Sequence, residues 1–327
     1  MFRVLGLSAL GQFITRVALA GLALAIVLPI CVACASNPVS PTPSVDAAGQ
    51  AVSMSTTKSG PISIVAAENF YGDIATQIGG NRVTVVSILK DPNVDPHEYE
   101  SSVDDAKAIG NAQIVIKNGV GYDAFIDKLL AASPRPNRIV IDVSQLTGHK
   151  DGDNPHLWYD PSTMPKVAQE LTQTLSRLDP ADSAYFAGRL QSFNASEKTV
   201  DDQVAAMKTR YHGVKVLPTE PVFNYMAEAL GLDVVDKEGD FQRAVEAGND
   251  PPAQAVAAFR QQITSHTIKA LIYNSQAVTP MTTQMQDLAR QSHVPIVAVS
   301  ETEPAGVTYQ QWMLNQLKTL QQALEQS

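Results

Sequence analysis

The chain has almost no cysteine: two in 327 residues, Cys31 and Cys34, and none after position 34. A folded body without thiols excludes disulfide bridges and thiolate metal sites together. Positive charge is also short, with 24 lysines and arginines against 33 acids and a net charge of −9. An acidic body without a basic stripe argues against nucleic acid as a partner and suits cations. Neither an HExxH motif nor a serine nucleophile elbow occurs, so two hydrolase signatures are missing. What remains is ordinary for a globular protein, 44% hydrophobic and 17% charged, and long enough for two domains with a core each.

Residues 1–33 carry Arg3 and Arg16 and no acid, ahead of an uncharged apolar run from Val17 to Ala35 that ends in small residues. This reads as an export signal. A membrane-spanning helix is the competing reading, since the run is near the minimum length for one. Cys34, after Val32-Ala33 and before the polar Ser36-Asn37-Pro38, favours the signal. The stretch resembles a bacterial lipoprotein signal in which Cys34 carries the lipid after cleavage, although Cys31 stands where such signals usually have Leu. Residues 34–61 are rich in Pro, Ser, Thr, Ala and Gly, the composition of a flexible tether.

From Ile62 onward, short β-branched runs alternate with segments of helical periodicity. Strands are expected at Ile62 to Ala67, Val83 to Leu89, Ile114 to Lys117 and Arg138 to Val143. Helices are expected between them at Phe70 to Gly79, Asp104 to Ile109 and Asp123 to Ala132. Ser144 to Asn154 reads as a loop and Pro161 to Leu178 as a helix. Asp179-Pro180-Ala181-Asp182 is a helix start, with an N-cap Asp and Pro in the first turn. The helix it opens runs to about Tyr211, about 45 Å at 1.5 Å per residue, and reads as a rigid strut. The alternation then repeats, with strands at Val214 to Leu217, Asp233 to Val235, Ala270 to Tyr273 and Ile296 to Val299. Helices fall at Val222 to Leu230, Pro252 to Ile263, Met281 to Gln291 and Tyr309 to Leu324, and Asp236 to Asp250 reads as a loop. The fold class is therefore α/β, two lobes each with a mostly parallel sheet covered by helices, joined by one long rigid helix. The boundaries are a signal at 1–33, a tether at 34–61, a first lobe at 62–178, a linker helix at 179–211 and a second lobe at 212–327.

Ligand sites in such sheets gather beyond the carboxyl ends of the strands. Asp95-Pro96-His97 lies there in the first lobe, and it is answered by Asn154-Pro155-His156. A proline before each histidine stiffens the loop and gives the imidazole a defined direction, although a lone Pro-His is more often a loop residue with one hydrogen bond. In the second lobe Glu220 follows one strand and Glu301 another, with Glu303 a competitor for the second position. Their bland readings are a helix-start carboxylate for Glu220 and a solvated loop acid for Glu301. Two imidazoles and two carboxylates make a mixed N/O set suited to divalent Mn, Fe or Zn. Trp158, Phe223 and Tyr225 flank these positions and would orient the ligands and exclude water. His149, His212, His266 and His293 read as ordinary surface or helix-end histidines.

These residues resemble the metal-binding solute receptors of ABC importers, the zinc and manganese type with a long linker helix. The likeness runs from about Ile62 to the C-terminus. It rests on Asp95-Pro96-His97, Asn118-Gly119, Pro155-His156-Leu157-Trp158-Tyr159-Asp160-Pro161, Asp179-Pro180, Glu220 with Phe223 and Tyr225, and the closing helix. The resemblance implies that His97, His156 and Glu220 are ligands and that the fourth falls on Glu301, where the family usually has Asp. Glu220, with only His149 in the loop where zinc-type members often carry many histidines, leans toward manganese. It implies an extracytoplasmic, lipid-anchored monomer of the bacterial cell membrane that hands Mn or Zn, with Fe as a third candidate, to an importer permease. The resemblance further implies that the membrane is touched through the anchor only, that nucleic acid is not a partner and that the protein is not an enzyme. Two other classes remain: a metal-dependent hydrolase with a carboxylate base, and a receptor for an organic solute or an adhesin on the same scaffold.

Overall fold

The computed structural model describes residues 60–326 apart from Val94, Asp95, His97 and Glu98. The export signal, Cys34 with its tether up to residue 59, and His97 therefore lie outside the described residues. Those described fall within one compact unit.

The first half contains β1 (Ile62–Glu68), α1 (Asn69–Gly79), β2 (Val83–Leu89), α2 (Val103–Asn111), β3 (Ile114–Lys117), α3 (Ala124–Ala132), β4 (Ile139–Asp142), α4 (Val143–Thr147) and α5 (Thr163–Leu178). After α6 (Ser183–Tyr211) come β5 (Lys215–Pro218), α7 (Asn224–Ala229), β6 (Asp233–Val234), α8 (Asp240–Glu246), α9 (Ala253–Thr264), β7 (Ala270–Asn274), α10 (Pro280–Gln291), β8 (Ile296–Val299) and α11 (Tyr309–Gln326). The strands form two parallel sheets of four with the same order, β2-β1-β3-β4 and β6-β5-β7-β8. β1 is buried along nearly its whole length, as a strand with helices on both faces must be. Each sheet turns at the strand pair β1/β3 or β5/β7, where crossovers leave in opposite directions and a crevice opens beyond the carboxyl ends.

Three expectations need correction. The segment from Asp236 to Asp250 is not all loop, because α8 forms there. Phe241 and Val245, four residues apart, bury one face of it in a core of the second half, and Phe241 stacks on Phe259 at 3.8 Å between ring centroids. The stretch from Ser144 to Asn154 begins inside α4, whose Asp142 accepts a hydrogen bond from the Gln145 amide. Asp179 makes no side-chain cap: a 3-10 turn at Pro180–Asp182 precedes α6, and Asp182 instead pairs with Arg82, 2.6 Å from its Nε.

The long helix packs along its length. Phe186, Phe193, Glu197, Val200, Val204, Met207 and Tyr211 are buried at spacings of seven, then alternately four and three, a stripe facing α5, α1 and α11. One continuous apolar core accordingly draws on both sheets and on α6. Within it lies Glu197, which accepts a hydrogen bond from Gln310 on α11 at 3.2 Å. Gln310 in turn accepts one from Gln77 on α1 at 3.0 Å. Burial, with the neighbouring charge of Asp201, pushes the Glu197 carboxyl up to about 7 from 4.5. The folded state holds this proton more tightly than the unfolded chain, so the contribution is complete below pH 4.5 and is lost as pH rises through about 7. Glu197→Gln should therefore melt at the wild-type temperature near pH 4 and above it at pH 8, where it is more stable by up to about 3 kcal/mol at 1.36 kcal/mol per pKa unit. Equal melting temperatures at pH 8 would show that the carboxyl is not held protonated.

Candidate metal centre

The loop carrying His156 is built locally and then locked from both sides. Asn154 forms an Asx turn, its Oδ1 accepting the His156 amide at 3.1 Å. The same oxygen lies 2.7 Å from His156 Nδ1. Asn154 Nδ2 donates to the Pro221 carbonyl at 2.9 Å, which assigns the amide's orientation. With its oxygen on Nδ1, Asn154 holds the tautomer that keeps the proton there, and Nε2 is the ring's donor toward a metal. On the other side, Asn118 Nδ2 donates to the Pro155 carbonyl at 2.8 Å, and Asn118 Oδ1 accepts from Tyr71 at 2.7 Å. The turn after β3 that places Asn118 requires glycine next: Gly119 has φ +80°, and a Cβ there would sit 2.4 Å from Ser144 Oγ. Asp123 closes this turn by accepting the Asn118 and Gly119 amides at 2.6 and 2.9 Å. Burial still pushes its carboxyl up to about 6.

The second sheet supplies the acids. Because β7 lies between β5 and β8, three adjacent strand ends bring Glu220, Asn274 and Glu301 into a row. All three are at most 2% exposed. Asn274 Nδ2 donates to Glu220 Oε2 at 3.0 Å and to Glu301 Oε1 at 2.5 Å. Glu301 Oε2 lies 3.5 Å from His156 Nε2 and accepts from the Tyr122 hydroxyl at 2.8 Å. Glu220 sits at the start of the 3-10 turn Pro221–Phe223 but makes no side-chain cap, so the helix-start reading of this acid is not what the structure shows. Among the described residues, no three His, Cys, Asp or Glu side chains are gathered tightly enough to hold an ion as they stand. His156 meets Glu301, and Glu220 joins them through Asn274.

Glu303 faces elsewhere. Its backbone pairs with Asn69 of α1, the carbonyl accepting at 2.7 Å and the amide donating at 3.1 Å. Burial and the charge of Asp73 push its carboxyl up to about 9. Trp158 is fully buried, stacked on Phe70 at 4.7 Å, with the His156 ring 5.2 Å and the Tyr122 ring 5.0 Å away. Phe223 packs edge-on to Tyr159 at 5.4 Å. Tyr225 donates to the Asn154 carbonyl at 3.0 Å, and burial pushes its hydroxyl up to about 12. His149 packs against Tyr225 at 5.5 Å, and His266 and His293 follow α9 and α10 with φ of +53° and +55°, helix-end positions as expected.

Sequence reasoning missed Asn154, Tyr122 and Asn274. Asn154 was legible as the Asn of an Asx turn two residues before the histidine. Asn274 and Tyr122 carry no local signal, since their partners are remote in sequence.

A family model described as zinc-uptake complex component A, periplasmic (ZnuA), matches residues 64–323. The chain belongs to that ZnuA family. Among curated relatives, the manganese-binding lipoprotein MntA of Halalkalibacterium halodurans is 26% identical over 183 residues, a match covering 53% of this chain and 59% of that protein. The iron ABC transporter substrate-binding lipoprotein MtsA of Streptococcus pyogenes serotype M1 is 25% identical over 195 residues, covering 54% and 62%. The chain thus spans about three-fifths of the length of these ZnuA-like relatives. The fold itself is shared across the whole domain. The periplasmic zinc-binding protein TroA of Treponema pallidum superposes with a TM-score of 0.68 at 19% identity, over 81% of this chain and 99% of TroA. FpvC of Pseudomonas aeruginosa, solved with Mn2+, gives 0.66 at 19% identity over 82% and 99%.

Proposed function

We propose that this chain is an extracytoplasmic receptor that captures a divalent transition metal and delivers it to the permease of an ABC importer. The observation that carries this reading is the approach of His156 Nε2 to Glu301 Oε2 at 3.5 Å, with Glu220 tied to Glu301 through one amide. An imidazole nitrogen faces one carboxylate, and a carboxylate from a second strand end is tied to the first, in a chain of the ZnuA family. The names of its relatives, which span manganese, iron and zinc, support the same cargo class here. The ligand set is His97, His156, Glu220 and Glu301. Glu301 is favoured over Glu303 because it faces His156, whereas Glu303 is engaged with Asn69 and Asp73. Trp158, Phe223 and Tyr225 brace the ligands without donating to the ion. Closing the two halves on an ion would bring His156 together with Glu220 and Glu301.

The two sheets on either side of α6 support a first lobe at 62–178, a linker at 179–211 and a second lobe at 212–327. Ahead of them, we assign a signal at 1–33 and a tether at 34–61 carrying lipid on Cys34, with the body acting as a monomer at the membrane surface. The hydrolase reading has the proposed four side-chain donors against it, which leave little room for a reacting water on a four-coordinate ion.

Competitive titration of the metal-stripped full chain with Mn, Zn and Fe, read by bound-metal analysis, tests the reading. A hundredfold excess of a true cargo over its Kd should stabilise the fold by about 2.7 kcal/mol. A melting temperature indifferent to all three metals would remove the proposal.

A further inference from the structure

The two carboxylates of the centre are arranged by a third side chain that is itself no metal ligand. Asn274 ends β7, with the strands leading to Glu220 and Glu301 on either side of it. Its orientation is set by the Gln276 amide, which donates to Oδ1 at 3.0 Å, so the NH2 end faces the acids. That group has two N–H bonds, and each carboxylate receives one: Glu220 through Oε2 at 3.0 Å and Glu301 through Oε1 at 2.5 Å. Gln276 adds a second tie, its Oε1 accepting the amides of Glu301 and Thr302 at 2.7 and 2.9 Å.

Glu220 and Glu301 follow the two strands that flank β7, and two carboxylates held this close repel each other when charged. A lysine or arginine between them would relieve this, but it would also cancel the negative charge that attracts a divalent cation. A neutral amide donates to both acids and adds no charge to the site. It also constrains denticity. For a carboxylate to chelate an ion with both oxygens, the oxygen held by Asn274 must also turn toward the ion, which pulls it off the line of the Asn274 N–H and weakens that bond. For Glu301 the opposite oxygen, Oε2, is the one that lies toward His156. One oxygen from each acid plus two imidazoles makes four donors, the number that suits zinc, whereas manganese prefers a larger, oxygen-rich shell.

We propose that Asn274 is a positioning residue that makes Glu220 and Glu301 present one oxygen each and so tilts the centre's preference toward a four-coordinate ion such as zinc over a six-coordinate ion such as manganese. This rests on Glu220 and Glu301 being ligands. The test uses the full chain stripped of metal, as wild type, Asn274→Ala and the near-isosteric Asn274→Leu, which has neither donor nor ligand atom, titrated with Mn and Zn in competition. Both variants should shift the ratio of zinc to manganese affinity toward manganese by about tenfold or more. X-ray absorption of the manganese-loaded variants should show more oxygen neighbours than wild type, a signature that a purely structural role would not produce. Glu220→Ala is run alongside. If it binds both metals as tightly as wild type, the ligand reading falls and this inference with it. If it loses binding while both Asn274 variants keep the wild-type ratio within about twofold, the ligand reading stands and the role of Asn274 alone is overturned.

Discussion

Replacing His156 with alanine is expected to weaken binding of Mn and Zn by about a hundredfold or more while leaving the fold intact. Loss of a residue that merely orients a ligand costs 10 to about 100-fold in affinity, and loss of the ligand itself should reach at least the upper end. The expectation rests on the ring's placement. Nδ1 faces Asn154 at 2.7 Å and Glu246 at 3.9 Å, whereas Nε2 is the nitrogen turned to Glu301, at 3.5 Å. Alanine leaves the Asx turn in place because the backbone amide that Asn154 accepts is retained. The variant should therefore melt within a few degrees of the metal-stripped wild type and fail to gain stability when Mn or Zn is added. Isothermal calorimetry giving wild-type affinity would mean that the centre lies elsewhere. His97→Ala should behave alike if both histidines hold the same ion.

Replacing Trp158 with alanine is expected to cost about 3–5 kcal/mol of stability, the range for removing a fully buried large aromatic. The ring fills a cluster with Phe70, Tyr122, Tyr159 and His156, and its backbone carbonyl accepts the Tyr309 hydroxyl at 2.7 Å. The void would open directly behind the imidazole, so metal affinity should fall together with stability. Urea denaturation of the metal-stripped variant measures the first effect, and titration under conditions where it is folded measures the second. A stability loss below about 1 kcal/mol would mean that the site collapses round the gap, contrary to the close packing of its neighbours.

Much of this protein was legible before folding. Val83 to Leu89, Ile114 to Lys117 and Ile296 to Val299 are strands with the bounds their β-branched runs imply. β3 is buried on both faces, and the edge strands β2 and β8 keep β-branched runs although one face of each is partly exposed, so the run itself carries the signal. α8 was hidden because Gly239 and the surrounding acids mask a two-residue apolar pattern, and only Phe259 shows why Phe241 is there. The long helix was visible by length. Its buried stripe was less so, because Glu197 interrupts it and draws its partner from α11.

The sequence by itself determined the alternation of strand and helix, the two Pro-His loops and the acids just past two later strands, because each is written in spacing and in neighbours a few residues away. The tertiary structure decided which of these meet. Strand order sets β7 between β5 and β8, which brings Asn274 between Glu220 and Glu301, 54 and 27 residues away in sequence. The packing of α1 beneath the last loop takes Glu303 to Asn69. Such meetings depend on crossovers between distant segments, and no local pattern of hydrophobic or turn residues encodes them.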